Sequence, residues 1–509
     1  MKRKSVLLAI FSSILLLFAF PHFDWESFAW IAFIPLFTSI RDCNVKQSFF
    51  AGCISGFVFY IGLIYWVIVA LNHYGHIPLA ISCLILTFLA AYLSLYFGLF
   101  TFFLKFMEDT LRVNTLYLAP FIWVSLEFAR SHVFTGFPWE LVGYSQYKNL
   151  YVIQIADITG VYGVSFLIML INCVIFDLLS NFDRKMSSIF KKDRLFVLGV
   201  LLIVLVYGLF KVDGENHKDA HKKHIAIGLI QPNIEQDVKW DEVYRAHTMD
   251  ILKRLSQESA ESGLDLVVWP ETATPFYFQS DPLYSPIIKA LAQETGASFV
   301  LGSPAYRRIK EGEVSFYNSA FLISCDGRIH GRYDKVHLVP FGEYVPLKKI
   351  LPFVSKLTEG AGDLTPGSSI HNLTVRGYQF GILICYESIF PDLVRKFTKG
   401  GAHFLVNITN DSWYGKTAAP YQHVSMATLR AVENRVYIGR AANTGISAII
   451  DPTGRIQKET EIFTRGYLNG TIIPRNEWSF YKCYGDIFAY GTTFFFLLSL
   501  LYTIKFRRF

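Results

Sequence analysis

The stretch Phe380-Gly-Ile-Leu-Ile-Cys-Tyr-Glu-Ser-Ile-Phe390 is an apolar run that turns polar directly after its cysteine. A short apolar run of this length is too brief for a core helix and predicts a buried strand over 379–386. A cysteine inside such a strand is ordinarily inert core, because apolar surroundings raise its pKa and suppress the thiolate. The abrupt Tyr386-Glu387-Ser388 points the other way, to a nucleophile at a strand-to-helix turn with free backbone N–H groups beside it for an oxyanion.

Outward from this strand, further short β-rich runs occur at 225–230, 264–269, 298–302, 320–323, 402–408, 448–451 and 468–473, with helical stretches at 242–261, 282–295 and 421–434. Strands that alternate with helices and then follow one another describe an α/β layered domain, here spanning 224–484. In Val267-Val-Trp-Pro-Glu-Thr-Ala273 an apolar strand runs into Pro270, which ends the ladder and delivers Glu271 at its edge. Taken alone, that residue reads as a loop or helix-cap carboxylate. In Gly331-Arg-Tyr-Asp-Lys-Val-His-Leu-Val-Pro-Phe-Gly-Glu-Tyr-Val-Pro346, Lys335 is either a surface charge or the partner of a buried acid. Here His337 reads as structural, while Glu343 is a loop acid, a mate for Lys335 or a catalytic auxiliary.

Of the 509 residues, 52% are hydrophobic and 16% aromatic, with a mean hydropathy of +0.33 that marks a membrane protein. The apolar runs lie almost wholly in 1–210 and 487–504. Residues 211–486 carry 31 Lys and Arg against 30 Asp and Glu, so the layered domain is near neutral and offers no basic stripe for nucleic acid. Seven cysteines, three of them (Cys53, Cys83, Cys173) inside apolar runs, imply no disulfide framework. His217, His221 and His224 sit in the Lys-, Asp- and His-rich stretch 211–224, where 211–223 reads as a solvated linker and the histidines not as a metal site.

Runs approaching the ~20 residues needed to cross a bilayer predict eight membrane helices, at 5–20, 28–40, 49–71, 77–104, 113–128, 158–179, 195–210 and 487–504. The first is read as a retained helix and not as a cleaved signal peptide. Fifteen Lys and Arg fall in one alternate set of connections (among them Lys2, Arg3, Lys4, Arg184, Lys185, Lys191 and, in the tail 505–509, Lys505, Arg507 and Arg508) and two, Arg130 and Lys148, in the other. The positive-inside rule then places both termini in the cytoplasm and the layered domain outside. The outer loop 129–157, with Thr135-Gly-Phe-Pro-Trp139, is either a surface anchor or part of a lipid portal.

In order, W-P-E, D-K-x-H-L-V-P-F-G-E, C-Y-E and Asn410-Asp-Ser-Trp413 resemble the nitrilase superfamily of carbon–nitrogen hydrolases. With seven preceding spans, one following span and the segment Gln231-Pro-Asn-Ile-Glu-Gln-Asp-Val-Lys-Trp240, the whole chain is similar to the apolipoprotein N-acyltransferase family of the bacterial envelope. The resemblance implies an αββα sandwich on a multi-pass helical membrane domain in the inner membrane, the sandwich facing the periplasm. It maps catalysis onto Glu271, Lys335 and Cys385, support onto Glu343, Tyr386 and Glu387, and substrate handling onto Trp240, with Phe341 and Tyr344 as candidates for shielding the site. It further implies acyl transfer from a phospholipid resembling phosphatidylethanolamine, through a Cys385 thioester, to the α-amine of a diacylglyceryl apolipoprotein, with no metal or cofactor. The rivals are a membrane-anchored amidase using the same residues and a transporter or receptor that has kept only an enzyme's shape. Ionisable residues within the spans are few, chiefly Glu127 and Asp177, so no polar conduction path is visible.

Overall fold

The computed structural model describes residues 1–112, 116–180, 192–216, 223–236, 242–310, 313–344 and 364–506. Trp240, His217, His221, Arg184, Lys185, Lys191, Pro346, Arg507 and Arg508 lie outside them. The chain forms two compact units, one of Met1–Ile68, Pro78–Asn216 and Tyr484–Phe509, the other of Val69–Ile77 and His217–Cys483.

Among the described residues the second unit holds twelve strands: β1 (Ile225–Gln231), β2 (Leu266–Val268), β3 (Ser298–Lys310), β4 (Glu313–Ile323), β5 (Ile329–Asp334), β6 (Leu373–Val375), β7 (Tyr378–Ile384), β8 (Phe404–Thr409), β9 (Tyr437–Ala442), β10 (Ala448–Ile450), β11 (Ile456–Glu459) and β12 (Gly466–Ile472). They form two six-stranded sheets, β12-β1-β2-β3-β4-β5 and β11-β10-β9-β8-β7-β6. In each, three central strands are parallel, β1-β2-β3 and β7-β8-β9, and the flanking strands antiparallel. Parallel strands are buried on both faces, which explains why β2 and β8 are buried throughout and why their sequences are apolar without alternation.

The sheets face each other across β1 and β9, where Gly439 lies so close that an added Cβ would stand 2.9 Å from Ile227 Cδ1 and 3.2 Å from Ile472 Cδ1. On the far side of the first sheet, Val267, Trp269 and Phe299 pack with Met249, Leu252 and Leu255 of the helix Glu242–Ala260, and Trp269 Nε1 donates to Ser256 Oγ at 2.8 Å. Helix Pro391–Lys399 covers the second sheet so closely that a Cβ on Gly381 would meet Phe397 Cβ at 2.7 Å. Helix, sheet, sheet and helix therefore stack as the expected αββα sandwich. All eight expected strands and the three expected helices coincide with observed elements. Four strands were not anticipated: β5 is charged, β9 carries Gly439 and Arg440 in its middle, β6 is only three residues long, and β11 is short and polar.

The first unit carries helices Arg3–Phe18, Ile34–Ile40, Val45–Leu63, Leu79–Leu111, Ala119–His132, Val161–Ser180, Lys192–Asn216 and Ile487–Phe506. Against the eight expected spans, four among the described residues are long and apolar enough to cross a membrane alone: Leu79–Leu111, Val161–Ser180, Arg194–Glu215 and Ile487–Phe506. A fifth arises if the pair Val45–Leu63 and Trp66–Tyr74, bent by 50°, counts as one. The expected first, second and fifth spans form helices of 16, 7 and 14 residues, below a full crossing length. The expected third span, 49–71, breaks between Leu63 and Trp66, and Val69–Ile77 beyond the break packs in the sandwich unit, Tyr74 against Trp413 at 6.1 Å. The expected linker begins late, since helix Lys192–Asn216 runs through 211–216.

Helices Val45–Leu63 and Leu79–Leu111 meet through small residues. A Cβ on Gly52 would lie 2.4 Å from Phe97 O, one on Gly56 2.9 Å from Ser94 Cα, and one on Gly98 2.4 Å from Cys53 Sγ. Gly52 and Gly56 form a G-x-x-x-G face, the device by which apolar helices gain dispersion contact where the hydrophobic effect between them is absent. Gly52→Leu must drive the helices apart and is expected to lower stability by about 1–3 kcal/mol, read as a fall in the melting temperature of the detergent-solubilised protein. An unchanged melting temperature would remove the close contact from the account.

Candidate active site

Strand β2 ends at Val268, and the chain passes Trp269 and Pro270 to present Glu271. The turn crosses directly over β3 at Gly302, where a Cβ would stand 2.4 Å from Pro270 O and 2.7 Å from Glu271 Cα. Any side chain at 302 displaces the acid. Glu271 is buried; Oε1 accepts from Asn318 Nδ2 at 2.7 Å and Oε2 from the Asn410 backbone N–H at 2.9 Å.

Lys335 follows β5, its N–H donating to Asn318 O at 2.9 Å. At 1% exposure it is no surface charge. Its Nζ lies 2.9 Å from Glu343 Oε2, 3.0 Å from Glu343 Oε1 and 3.5 Å from Glu271 Oε1. Asn318 bridges the two acids, its Nδ2 also donating to Glu343 Oε1 at 2.9 Å. Glu343 in turn accepts from the Val339 N–H at 2.8 Å, which ties it to the turn after Lys335. Burial would push the Lys335 ammonium down, but the carboxylates of Glu343 and Glu271 outweigh it and hold the group above the ordinary lysine range.

Cys385 stands where β7 ends, in a left-handed backbone conformation with φ +52° that costs a non-glycine residue about 1–2 kcal/mol. Burial pushes its thiol up, the Glu271 carboxylate adds to this and Lys335 opposes it, so the resting group is a thiol that needs a base. Both charges thus act on the sulfur. Glu387, two residues on, accepts from the Tyr333 hydroxyl at 2.9 Å and from the N–H groups of Val336 at 2.8 Å, His337 at 3.2 Å and Ile384 at 2.8 Å. It thereby pins the Lys335 loop to the end of β7. Tyr386 is buried with ring contacts to His337 and Phe390, and the His337 ring lies 3.7 Å from that of Phe390. Phe341 is half exposed with φ +63°, and its N–H donates to Tyr344 O at 2.7 Å across the loop. Trp240 is among the residues not described.

Asn318, Gly302 and the backbone of Asn410 were not foreseen. The polar pair Asn318-Ser319 in the otherwise apolar end of β4 (Tyr317-Asn-Ser-Ala-Phe-Leu-Ile323) was the available sign for the first. The other two have none, since a glycine and an N–H group show their role only once strands lie side by side.

Burial pushes the Glu387 carboxyl up to about 7, against its four hydrogen bonds and the Lys335 charge. A raised acid contributes stability that is fully present below its unfolded pKa near 4.5 and lost as pH rises through about 7. That contribution is of order 3 kcal/mol. His337, held at about 4 by burial and by Lys335, works in the opposite sense across an overlapping window. The Glu387 share is therefore the difference between wild type and Glu387→Gln, which is expected to shift toward the variant between pH 5 and about 8. A pH-independent difference in melting temperature would contradict it.

A family model described as the apolipoprotein N-acyltransferase N-terminal domain matches residues 12–174, and one described as carbon–nitrogen hydrolase matches 226–477. The chain is 43% identical over 492 residues to the apolipoprotein N-acyltransferase of Geobacter metallireducens, covering 96% of this chain and 93% of that one. It is 32% identical over 519 residues to that of Pasteurella multocida, covering 100% and 97%. Among solved structures, an amidase from Nesterenkonia sp. is similar at 21% identity over 50% of this chain and 92% of that chain, with a TM-score of 0.38. The chain belongs to the apolipoprotein N-acyltransferase family and is an acyltransferase built on a carbon–nitrogen hydrolase domain.

Proposed function

We propose that the protein moves a fatty acyl chain from a membrane phospholipid, through a thioester on Cys385, to the α-amine of the diacylglyceryl-cysteine that begins an apolipoprotein. The observation that carries the reading is one buried lysine held between Glu271 and Glu343, with its charge and that of Glu271 acting on Cys385. Glu271 takes the thiol proton, and the sulfur attacks the acyl ester carbonyl of the donor. Lys335 and the N–H of Tyr386 stabilise the tetrahedral oxyanion. Collapse expels the lysophospholipid alkoxide, which recovers the proton from Glu271, leaving the thioester. In the second half the lipoprotein amine attacks, Glu271 takes its proton and passes it to the departing Cys385 sulfur, and an amide results.

Both termini are cytoplasmic in this reading, the eight apolar helices cross or enter the inner membrane, and the sandwich faces the periplasm. The asymmetry of Lys and Arg among the connections supports that orientation. A lipid donor, with phosphatidylethanolamine as the type, is supported by Val69–Ile77: it includes the end of the apolar helix Trp66–Tyr74 and packs against the Asp411–Tyr414 turn through Tyr74 and Trp413. Trp240, Phe341 and Tyr344 shield the thioester, which favours aminolysis over hydrolysis where water is kept away. Catalysis uses cysteine, lysine and carboxylates, with no metal or cofactor in any step.

Incubating the purified protein with phospholipid alone is expected to leave an acyl group on Cys385 that neutral hydroxylamine releases. Turnover without such a group would overturn the scheme.

A further inference from the structure

Behind the nucleophile lies a polar cluster that the scheme above leaves unused. Asn407, Asp411, His423 and Arg440 are all fully buried, on β8, the turn after it, helix Ala419–Asn434 and β9. Arg440 Nη2 donates to Asp411 Oδ2 at 2.7 Å, Nη1 donates to Asn407 Oδ1, and Thr409 Oγ1 donates to Asp411 Oδ1 at 2.9 Å. His423 Nδ1 stands 3.1 Å from both Asp411 Oδ1 and Arg440 Nη2. Its Nε2 lies 3.2 Å from the Cys385 carbonyl oxygen and 2.9 Å from Ser388 Oγ, whose hydroxyl donates to that same carbonyl at 3.0 Å. Asn407 Nδ2 donates to Leu383 O at 3.0 Å, two residues before the cysteine.

A buried ion pair is a poor way to gain stability, because desolvation offsets its attraction. This one ends on the backbone of the nucleophile. The peptide after Cys385 is planar and trans, so its C=O and the N–H of Tyr386 point in opposite directions. Whatever holds the carbonyl oxygen on one side aims the N–H on the other. The left-handed φ of Cys385 is a conformation that its surroundings must impose.

We infer that His423, braced by Asp411 and Arg440, is a positioning residue whose Nε2 holds the Cys385 carbonyl and so aims the Tyr386 N–H at the site of the oxyanion. The role rests on Cys385 being the acyl carrier. Side-chain length separates it from a merely structural one. A glutamine amide reaches the Nε2 position and keeps a donor for the carbonyl, whereas an asparagine amide reaches only the Nδ1 position and keeps the contact with Asp411.

In His423→Gln, acyl-enzyme formation per folded molecule is expected to stay within about 10-fold of wild type, and in His423→Asn to fall about 100-fold, the cost of a misaligned reacting group. Both are measured in the intact protein as hydroxylamine-labile acyl incorporation, with melting temperature as the folding control. Equal rates in the two variants would overturn the proposal. Should His423→Asn not fold, Ser388→Ala decides: slower acylation at an unchanged melting temperature supports the clamp on the carbonyl, and a wild-type rate refutes it. Absence of labile acyl groups in wild type is a separate result that strikes at the acyl carrier itself.

Discussion

Lys335→Met is expected to lower turnover by at least about 1,000-fold and also to destabilise the sandwich, two losses with one cause. The ammonium touches Glu271 and Glu343, at 3.5 Å and 2.9 Å. Both acids share Asn318 Nδ2, so without the lysine one buried and one part-buried carboxylate converge on one amide. Their negative charges then repel each other with no ammonium between them. Removing one partner of a buried ion pair typically costs about 3–5 kcal/mol. The same change removes the cationic side of the oxyanion site, worth about 100- to 1,000-fold in turnover by itself, and leaves Glu271 without the ion pair that places it. Lys335→Arg is not expected to rescue it, because a planar guanidinium does not fit a pocket shaped for a compact ammonium between two acids. Wild-type turnover in Lys335→Met would dismiss the lysine from the mechanism.

Much of the sandwich was legible because its central strands, buried on both faces, leave near-continuous apolar runs such as 225–230 and 402–408. The edges were not. β5 and β11 face solvent on at least one side and carry the charged residues that solvent permits, so no hydrophobic period marks them. β9 was hidden for a different reason: Gly439 makes room for the facing sheet and Arg440 points into the buried ion pair, and both break an apolar pattern for packing reasons. The membrane unit was legible in its long helices and not in its short ones, since an apolar run of 16 residues looks alike whether it crosses, stops short or bends. Within the site, Glu271, Lys335 and Cys385 each had a commoner structural reading taken singly. Lys335 shows why: nothing around position 335 in the sequence marks it as buried, and its partners Glu271 and Glu343 come from separate loops. The resemblance of the ordered motifs, and no local pattern, singled it out.

Cys385→Ala tests whether the acyl group passes through the sulfur at all. The thiol is the only nucleophile in the proposed first half-reaction, so the variant should form no acyl-enzyme and release no lysophospholipid, a loss on the order of 10⁶-fold as for other covalent nucleophiles. Folding should survive, because alanine removes one atom and adds none, and the left-handed backbone it inherits strains alanine as it strains cysteine. The variant therefore isolates chemistry from stability in a way that Lys335→Met does not. A competing scheme has Glu271 deprotonate the lipoprotein amine for direct attack on the phospholipid ester, with Cys385 as a bystander. Under that scheme Cys385→Ala keeps measurable N-acylation and both substrates must be bound together. Initial rates of the wild-type enzyme at several fixed acceptor concentrations then give converging reciprocal plots. The covalent route gives parallel ones, because the first product leaves before the second substrate binds. The surroundings of Cys385 argue for the covalent route. The sulfur is carried on a left-handed backbone at the end of β7, and the Lys335 charge, held between Glu271 and Glu343, acts on it, an arrangement that a bystander thiol does not require.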